Sequence, residues 1–316
     1  LRRPIDAFVI GAQKGGTTTV YDVLGAHRDV RSSWAKENHY FTRDEFWESG
    51  PRYLDAFYPE PLDEALVLGA YANTMMFPGA VDRLAAHNPG MHIIACLRDP
   101  VERAWSAFWF ARRNGWEPVD DFEQALALEA ERRTRGGEAF KELTYAEHGR
   151  YASQLRPYFE RFGADRVHVV FQEELCEAPE AVFGGLCDDL GLVRDDRLPM
   201  RAVRNPAGTP RSPLLHRTLL REAPWKAWGR RLVPAGLRAC AQRYLVGPVL
   251  TANLTTRANP PMPWHVRERL RRRFEGEDWA LARLIGRPVP WRASESAPQS
   301  SRVDRAATSG RRSAAG

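Results

Sequence analysis

Apolar residues cluster along this chain in short, compact runs: Phe8-Val9-Ile10, a brief extended stretch at Asp29-Val30-Arg31, Leu66 to Ala70, His92 to Leu97 and Val167 to Phe171. Each run has strand length. Between them the spacing turns helical, first at Val20, Tyr21, Val23 and Leu24, ending near Gly25 as a C′ glycine. Helical spacing returns over Pro78–His87, from Pro100 onward, over Phe122–Arg133 and over Tyr151–Phe162, the last interrupted or bent at Pro157. Ala178–Leu190, Leu214–Leu220 and Val266–Leu284 complete the set. Strands alternating with helices predict an α/β fold of three layers: a central, mostly parallel sheet with helices on both faces. Trp47 to Pro61, aromatic and broken by prolines, reads as a helix plus loop over the site, and no internal repeat is visible.

The 316 residues are enough for one large domain, predicted over 1–292, and a Ser/Ala/Arg/Gly-rich tail, 293–316, predicted to be disordered. The content of 43% hydrophobic and 27% charged residues is that of a soluble globular protein, and no apolar run is long enough to span a membrane. The net charge of +6 suits an anionic ligand, although Arg302, Arg305, Arg311 and Arg312 place part of it in the tail. Aromatic and basic residues do not interleave on one recognition element, so nucleic acid is not the expected partner. Lysine occurs only at Lys14, Lys36, Lys141 and Lys226. Cys96, Cys176, Cys187 and Cys240 lack C-x-x-C spacing and read as reduced, structural thiols of a cytoplasmic protein. The chain opens Leu1-Arg2-Arg3-Pro4 without methionine, which leaves room for an upstream segment such as a signal or anchor.

Four stretches carry chemistry. Phe8 to Thr19 runs strand, tight loop, helix, and places Lys14, Gly15, Gly16, Thr17, Thr18 and Thr19 at the turn. Glycines admit an anion close to the backbone, the helix N-terminus points N–H groups at it and the hydroxyls add donors. The loop departs from the common G-x-x-x-x-G-K-[ST] pattern, because Lys14 precedes the glycines. Lys36-Glu37-Asn38-His39-Tyr40-Phe41 follows the second extended stretch, where the carboxyl ends of strands face a ligand. After the strand ending at Leu97, Asp99 reads as the N-cap of a helix beginning at Pro100, with Glu102 completing a capping box. Arg98 and Ser106 then flank one anion site, unless Arg98 pairs with Asp99 or Glu102. Between Leu198 and Ser212 a basic, hydroxyl-bearing loop, including Arg201, Arg204, Gly208, Thr209 and Arg211, reads either as solvated or as a lid over a phosphate.

The first three stretches, in this order and on these elements, resemble the sulfotransferases that use 3′-phosphoadenosine 5′-phosphosulfate (PAPS), above all the heparan-sulfate-type carbohydrate enzymes and their bacterial relatives. Gly149 to Leu155, Phe171 to Leu175 and the last helix before Gly286-Arg287 continue the likeness, which covers roughly Ile5 to Trp291. The resemblance implies that Lys14 to Thr19 hold the 5′-phosphosulfate in a P-loop-like turn, and that Arg98 and Ser106 hold the 3′-phosphate. It implies a role for Gly208, Thr209, Arg211 and Ser212 over the nucleotide, although the family's Lys-Gly-Arg order is absent. Glu37 is the implied general base and Lys14 the group stabilising the leaving phosphate, with Lys36 and His39 as further active-site members and no metal. His39 either orients Glu37, touches the acceptor or binds a nearby carbonyl.

The implied reaction moves a sulfuryl group from PAPS to a hydroxyl on a sugar, glycolipid or small metabolite, leaving adenosine 3′,5′-bisphosphate. Asn38 and Thr42 stand where the heparan-type branch has proline and aspartate, and Gly69 to Thr74 replaces its lysine-bearing segment, so a long polyanionic acceptor is not implied. The alternatives are a P-loop-like kinase using ATP, and a non-catalytic nucleotide-binding protein of the same fold.

Overall fold

The computed structural model describes residues 3–58, 66–201, 209–210, 254–255 and 259–293. Five strands, β1 (Ala7–Gly11), β2 (Val30–Ser32), β3 (Leu66–Ala70), β4 (His92–Leu97) and β5 (Val167–Phe171), form one sheet in the order β2-β3-β1-β4-β5. Every pairing is parallel. Their alternation decides the layers. Phe8, Ile10, Val67, Ile93, Ala95, Leu97, Val167 and Phe171 pack on one face. Ala7, Val9, Leu68, Ala70, Ile94, Cys96 and Val170 pack on the other. Strands buried on both sides need helices on both sides.

The second face is covered by α1 (Thr17–Gly25) and, after the short α9 (Gln172–Glu177), by α10 (Pro179–Asp189). Against the first face lie α2 (Asp44–Glu48), α3 (Ala80–His87), α8 (Tyr151–Phe162) and part of the long α11 (Trp264–Ile285), followed by α12 (Pro290–Ala293). The helix plus loop expected over Trp47–Pro61 is, as far as the described residues run to Tyr58, α2 followed by a 3-10 turn, Pro51–Phe57, whose Leu54 is fully buried in that core. A third apolar cluster joins α4 (Pro100–Arg113) and α5 (Phe122–Ala127) to Tyr145 and the first half of α11. The expected three-layer sheet is therefore present.

Local details depart from the sequence pattern in three places. Phe122–Arg133 is two helices, α5 and α6 (Glu129–Arg135), separated at Leu128. Gly25 is the last residue of α1 and not the one beyond it; a Cβ there would lie 2.9 Å from Ser32 Oγ, so packing against β2 explains the glycine. Asp99 does cap α4, accepting from Val101 N at 2.9 Å, but the reciprocal partner is Glu173, which accepts from Asp99 N at 3.0 Å. Glu102 pairs instead with Arg267 of α11.

At the amino ends of the strands, remote from the site, His92 Nδ1 lies 2.9 Å from His168 Nε2, and His168 Nδ1 lies 3.1 Å from Asp189. Burial lowers the pKa of both rings. His87 accepts a hydrogen bond from Ile5 N, and burial pushes its pKa down to about 4. His148 is held down to about 3 by burial and then by Arg103. Groups whose folded pKa is depressed leave the unfolded chain with more bound protons, so stability rises with pH. Thermal melts are therefore expected to show Tm falling as pH drops below about 6.5, the unfolded histidine value, toward 4. A flat Tm over that window contradicts this account of the buried imidazoles.

Candidate active site

From β1 the chain runs out to the edge strand β2 and back to β3, whereas from β4 it proceeds to β5 on the opposite side. The carboxyl ends of β1 and β4 therefore flank a topological switch point, where open α/β sheets bind ligands. The loop after β1 and Arg98 after β4 both open there.

The loop is pinned from beneath. Ala12 N donates to Cys96 O at 2.7 Å, and Gly15 N donates back to Ala12 O at 2.9 Å. A Cβ on Gly15 would sit 2.2 Å from Cys96 O, a backbone atom that cannot yield, so only glycine fits. Lys14 (φ 70°) and Gly16 (φ 100°) are both left-handed, which turns the chain sharply into α1. No side chain caps that helix, and the N-terminus of a helix favours an anion.

Lys36 joins this loop to the next motif. Its Nζ donates to Thr17 Oγ1 at 3.0 Å, to Thr18 Oγ1 at 3.1 Å and to Glu37 Oε1 at 3.0 Å, using all three protons of an ammonium. Glu37 Oε2 accepts from Ala72 N, just beyond β3, at 3.1 Å. The carboxylate is thus aimed by two donors, yet its side chain is 47% exposed and open to a second substrate. The His39 ring lies on Tyr71, with centroids 4.2 Å apart. Asn38 is fully buried, with its backbone N on Ala70 O at 2.9 Å and its side chain accepting from Tyr40 N.

Arg98 is left available. Asp99 is engaged by Val101 N and by Arg271 at 3.2 Å, and Glu102 by Arg267, so neither acid holds the arginine. The Tyr151 hydroxyl fixes the Arg98 backbone by donating to its carbonyl oxygen at 2.9 Å. Among the described residues the Arg98 guanidinium, the Ser106 hydroxyl and the Thr19 hydroxyl have no hydrogen-bond partner. Lys14 Nζ sits 4.6 Å above the Phe110 ring. Burial lowers its pKa to about 8, assisted by the positive charges of Arg113, Arg98 and Lys36. Four cations held this close, with Lys36 alone paired to an acid among the described residues, describe a pocket that favours a multiply charged anion.

Sequence reasoning missed Arg113, Phe110 and Glu173. Ser106, Phe110 and Arg113 follow one another at helical spacings of four and three along α4, so the face bearing Ser106 contained the signal for the other two. Gly208 and Arg211 lie outside the described residues. Thr209 is described only as backbone, in the two-residue strand β6 (Thr209–Pro210), which pairs antiparallel with β7 (Leu254–Thr255). The tail from 294 also lies outside them.

The sulfotransferase domain family matches residues 4–198, which contain the whole five-stranded sheet and the motifs around Lys14, Lys36 and Arg98. The chain belongs to that family. Human heparan sulfate glucosamine 3-O-sulfotransferase 3B1 is 27% identical over 197 residues, 60% of this chain and 46% of that protein. Mouse carbohydrate sulfotransferase 15 is 29% identical over 165 residues, 38% of this chain and 29% of the relative. The chain thus spans about half or less of the length of these curated relatives. The crystal structure of a sulfotransferase from Alicyclobacillus acidocaldarius superposes with a TM-score of 0.64 at 24% identity, covering 92% of this chain and 98% of that one, and shares its fold. Among the described residues of this sulfotransferase chain, no helix is long and apolar enough to cross a membrane.

Proposed function

We propose that this chain, through a domain spanning 1–292, transfers a sulfuryl group from PAPS to a hydroxyl of a carbohydrate or other small hydroxylated acceptor. The observation that carries the reading is the Lys36 ammonium, which ties the hydroxyls of the anion loop to the Glu37 carboxylate beside cations that form no ion pair among the described residues. The donor, when bound, supplies the activated sulfuryl group and a phosphate leaving group. The glycine-shaped loop and the N-terminus of α1 fit its 5′ end, and Arg98 and Ser106, which lack hydrogen-bond partners for their side chains among the described residues, fit a second phosphate.

The residues divide the work. Glu37 takes the proton of the attacking hydroxyl, aimed by Ala72 N and Lys36. Lys14 and the loop N–H groups stabilise negative charge growing on the leaving oxygen. Lys36 holds Thr17 and Thr18 in register with the base, and Arg113 adds positive charge behind Lys14. His39, its ring tilted against Tyr71, lines the acceptor side. The kinase alternative expects a lysine after the glycines, and here Lys14 precedes them.

Incubation with PAPS labelled in its sulfate, against a panel of neutral and acidic sugars, glycolipids and phenols, tests the reading. Label on a hydroxyl acceptor with release of adenosine 3′,5′-bisphosphate is the expected outcome. Label from γ-labelled ATP appearing on the acceptor, with none from PAPS, would replace it with the kinase.

A further inference from the structure

A helix far away in sequence, α7 (Gly137–Leu143), reaches the anion loop. Gln13, next to Lys14, donates through Nε2 to Glu142 Oε2 at 2.9 Å, which docks the end of α7 onto the anion loop. Lys141 Nζ lies 3.3 Å from Glu142 Oε1, and both side chains are largely buried. Burial pushes the pKa of the Tyr71 phenol up to about 12, and the charges of Lys141, Glu142 and Glu37 all act on it along with the Asn73 side chain. The Asn73 amide oxygen, on a residue 3% exposed, makes no hydrogen bond, and the Asn73 side chain bears on the Tyr71 hydroxyl beside it. Buried polar atoms left without partners beside a cleft mark where a ligand's hydrogen-bonding groups belong.

Charge differs across the cleft. On the donor half, among the described residues, Lys14 lies over a ring, Arg113 donates to the neutral Asn259 and Arg98 makes no ion pair, with Glu173 acting on it only at longer range. On the acceptor half Lys36 is matched by Glu37, and Lys141 by Glu142. Among the described residues the first half is built for an anion and the second is balanced. A second carboxylate there repels an acidic acceptor and accepts a hydrogen bond from a neutral one.

Resting on the sulfotransferase reading, we propose that Glu142, with Lys141, Gln13, Tyr71 and Asn73, forms an acceptor wall selective for an uncharged polyhydroxyl ring, with Glu142 accepting from a hydroxyl neighbouring the one that Glu37 deprotonates. Such a wall separates this chain from a polyanion-modifying enzyme through residues that, Gln13 apart, lie outside the three motifs.

The test uses the full chain and two probes that differ only at one carbon, 4-nitrophenyl β-D-glucoside and 4-nitrophenyl β-D-glucuronide. Binding of each to the complex with adenosine 3′,5′-bisphosphate is measured by calorimetry, and sulfate transfer to each from PAPS is followed in parallel. Wild type is expected to favour the glucoside by about tenfold or more, roughly 1.4 kcal/mol. Glu142→Gln is expected to bring the ratio near unity while bisphosphate affinity stays unchanged. Lys141→Met, which leaves the carboxylate uncompensated, is expected to widen the ratio. Wild type binding the glucuronide equally or better, Glu142→Gln leaving the ratio intact, or neither glycoside binding overturns the wall. Wild type failing to bind the bisphosphate overturns the sulfotransferase reading beneath it, and the wall with it.

Discussion

Glu37→Gln is expected to lower kcat for sulfate transfer by about 10²- to 10⁴-fold, the range over which a positioned general base acts. The substitution keeps the shape of the side chain. A glutamine oxygen still accepts from Ala72 N or from Lys36, whose contacts at 3.1 and 3.0 Å hold the carboxylate in place. What disappears is the capacity to take a proton from the attacking hydroxyl. Affinity for adenosine 3′,5′-bisphosphate should stay within about threefold of wild type, because the donor side does not depend on that proton. Steady-state kinetics on an identified acceptor, with calorimetry on the same preparation, separate the two effects. Transfer at the wild-type rate would remove Glu37 from the role of base.

Lys14→Ala is expected to cost about 10²- to 10³-fold in kcat, comparable to losing one preorganised donor at a developing negative charge. The residue also carries a pH signature. In the free protein burial and the neighbouring Arg113, Arg98 and Lys36 lower its pKa to about 8. An anion prefers the charged lysine, so bisphosphate affinity in wild type should fall as pH rises through about 8. That decline should vanish in Lys14→Ala.

Stability should move the other way. A lysine whose folded pKa is depressed from 10.5 binds fewer protons folded than unfolded between 8 and 10.5, so its penalty is full below 8 and is relieved as pH rises. Lys14→Ala should consequently melt higher than wild type at neutral pH, a gain in stability at the expense of function. A melting temperature unchanged or lowered at neutral pH, together with an unaltered pH dependence of binding, contradicts the crowded-cation description.

The strands were legible because each is a compact apolar run between turn residues, and burial on both faces leaves little else for such runs to be: β3, β4 and β5 begin and end where the pattern places them. The anion loop was legible for a similar reason, since Gly15 sits where only glycine fits over Cys96 O. Capping was read half correctly. Asp99 was visible as a cap, but its partner Glu173 comes from the start of α9, just after the neighbouring strand β5 and 74 positions away, where local spacing carries no information. Leu128 divides a pattern that periodicity alone runs together, because α5 and α6 turn about the buried Glu117–Arg132 pair and Tyr145. Lys141 and Glu142 were invisible as site residues: nothing near them in sequence bears chemistry, and only the docking of α7 through Gln13 brings them to Tyr71. Arg113 lies between these cases, missed although it shares a helical face with Ser106.

The central claim is that two separate anion sites, the loop at Lys14 to Thr19 and the Arg98/Ser106 pair, hold the two phosphate ends of one nucleotide. Calorimetric titration of wild type and Arg98→Ala with adenosine 3′,5′-bisphosphate, adenosine 5′-monophosphate and ATP tests it most directly. The account predicts that wild type binds the bisphosphate at least about tenfold more tightly than the monophosphate, as one charge-assisted contact allows, and that Arg98→Ala removes the difference while leaving monophosphate binding in place. Equal affinity of wild type for bisphosphate and monophosphate, or a preference for ATP over both, would contradict it.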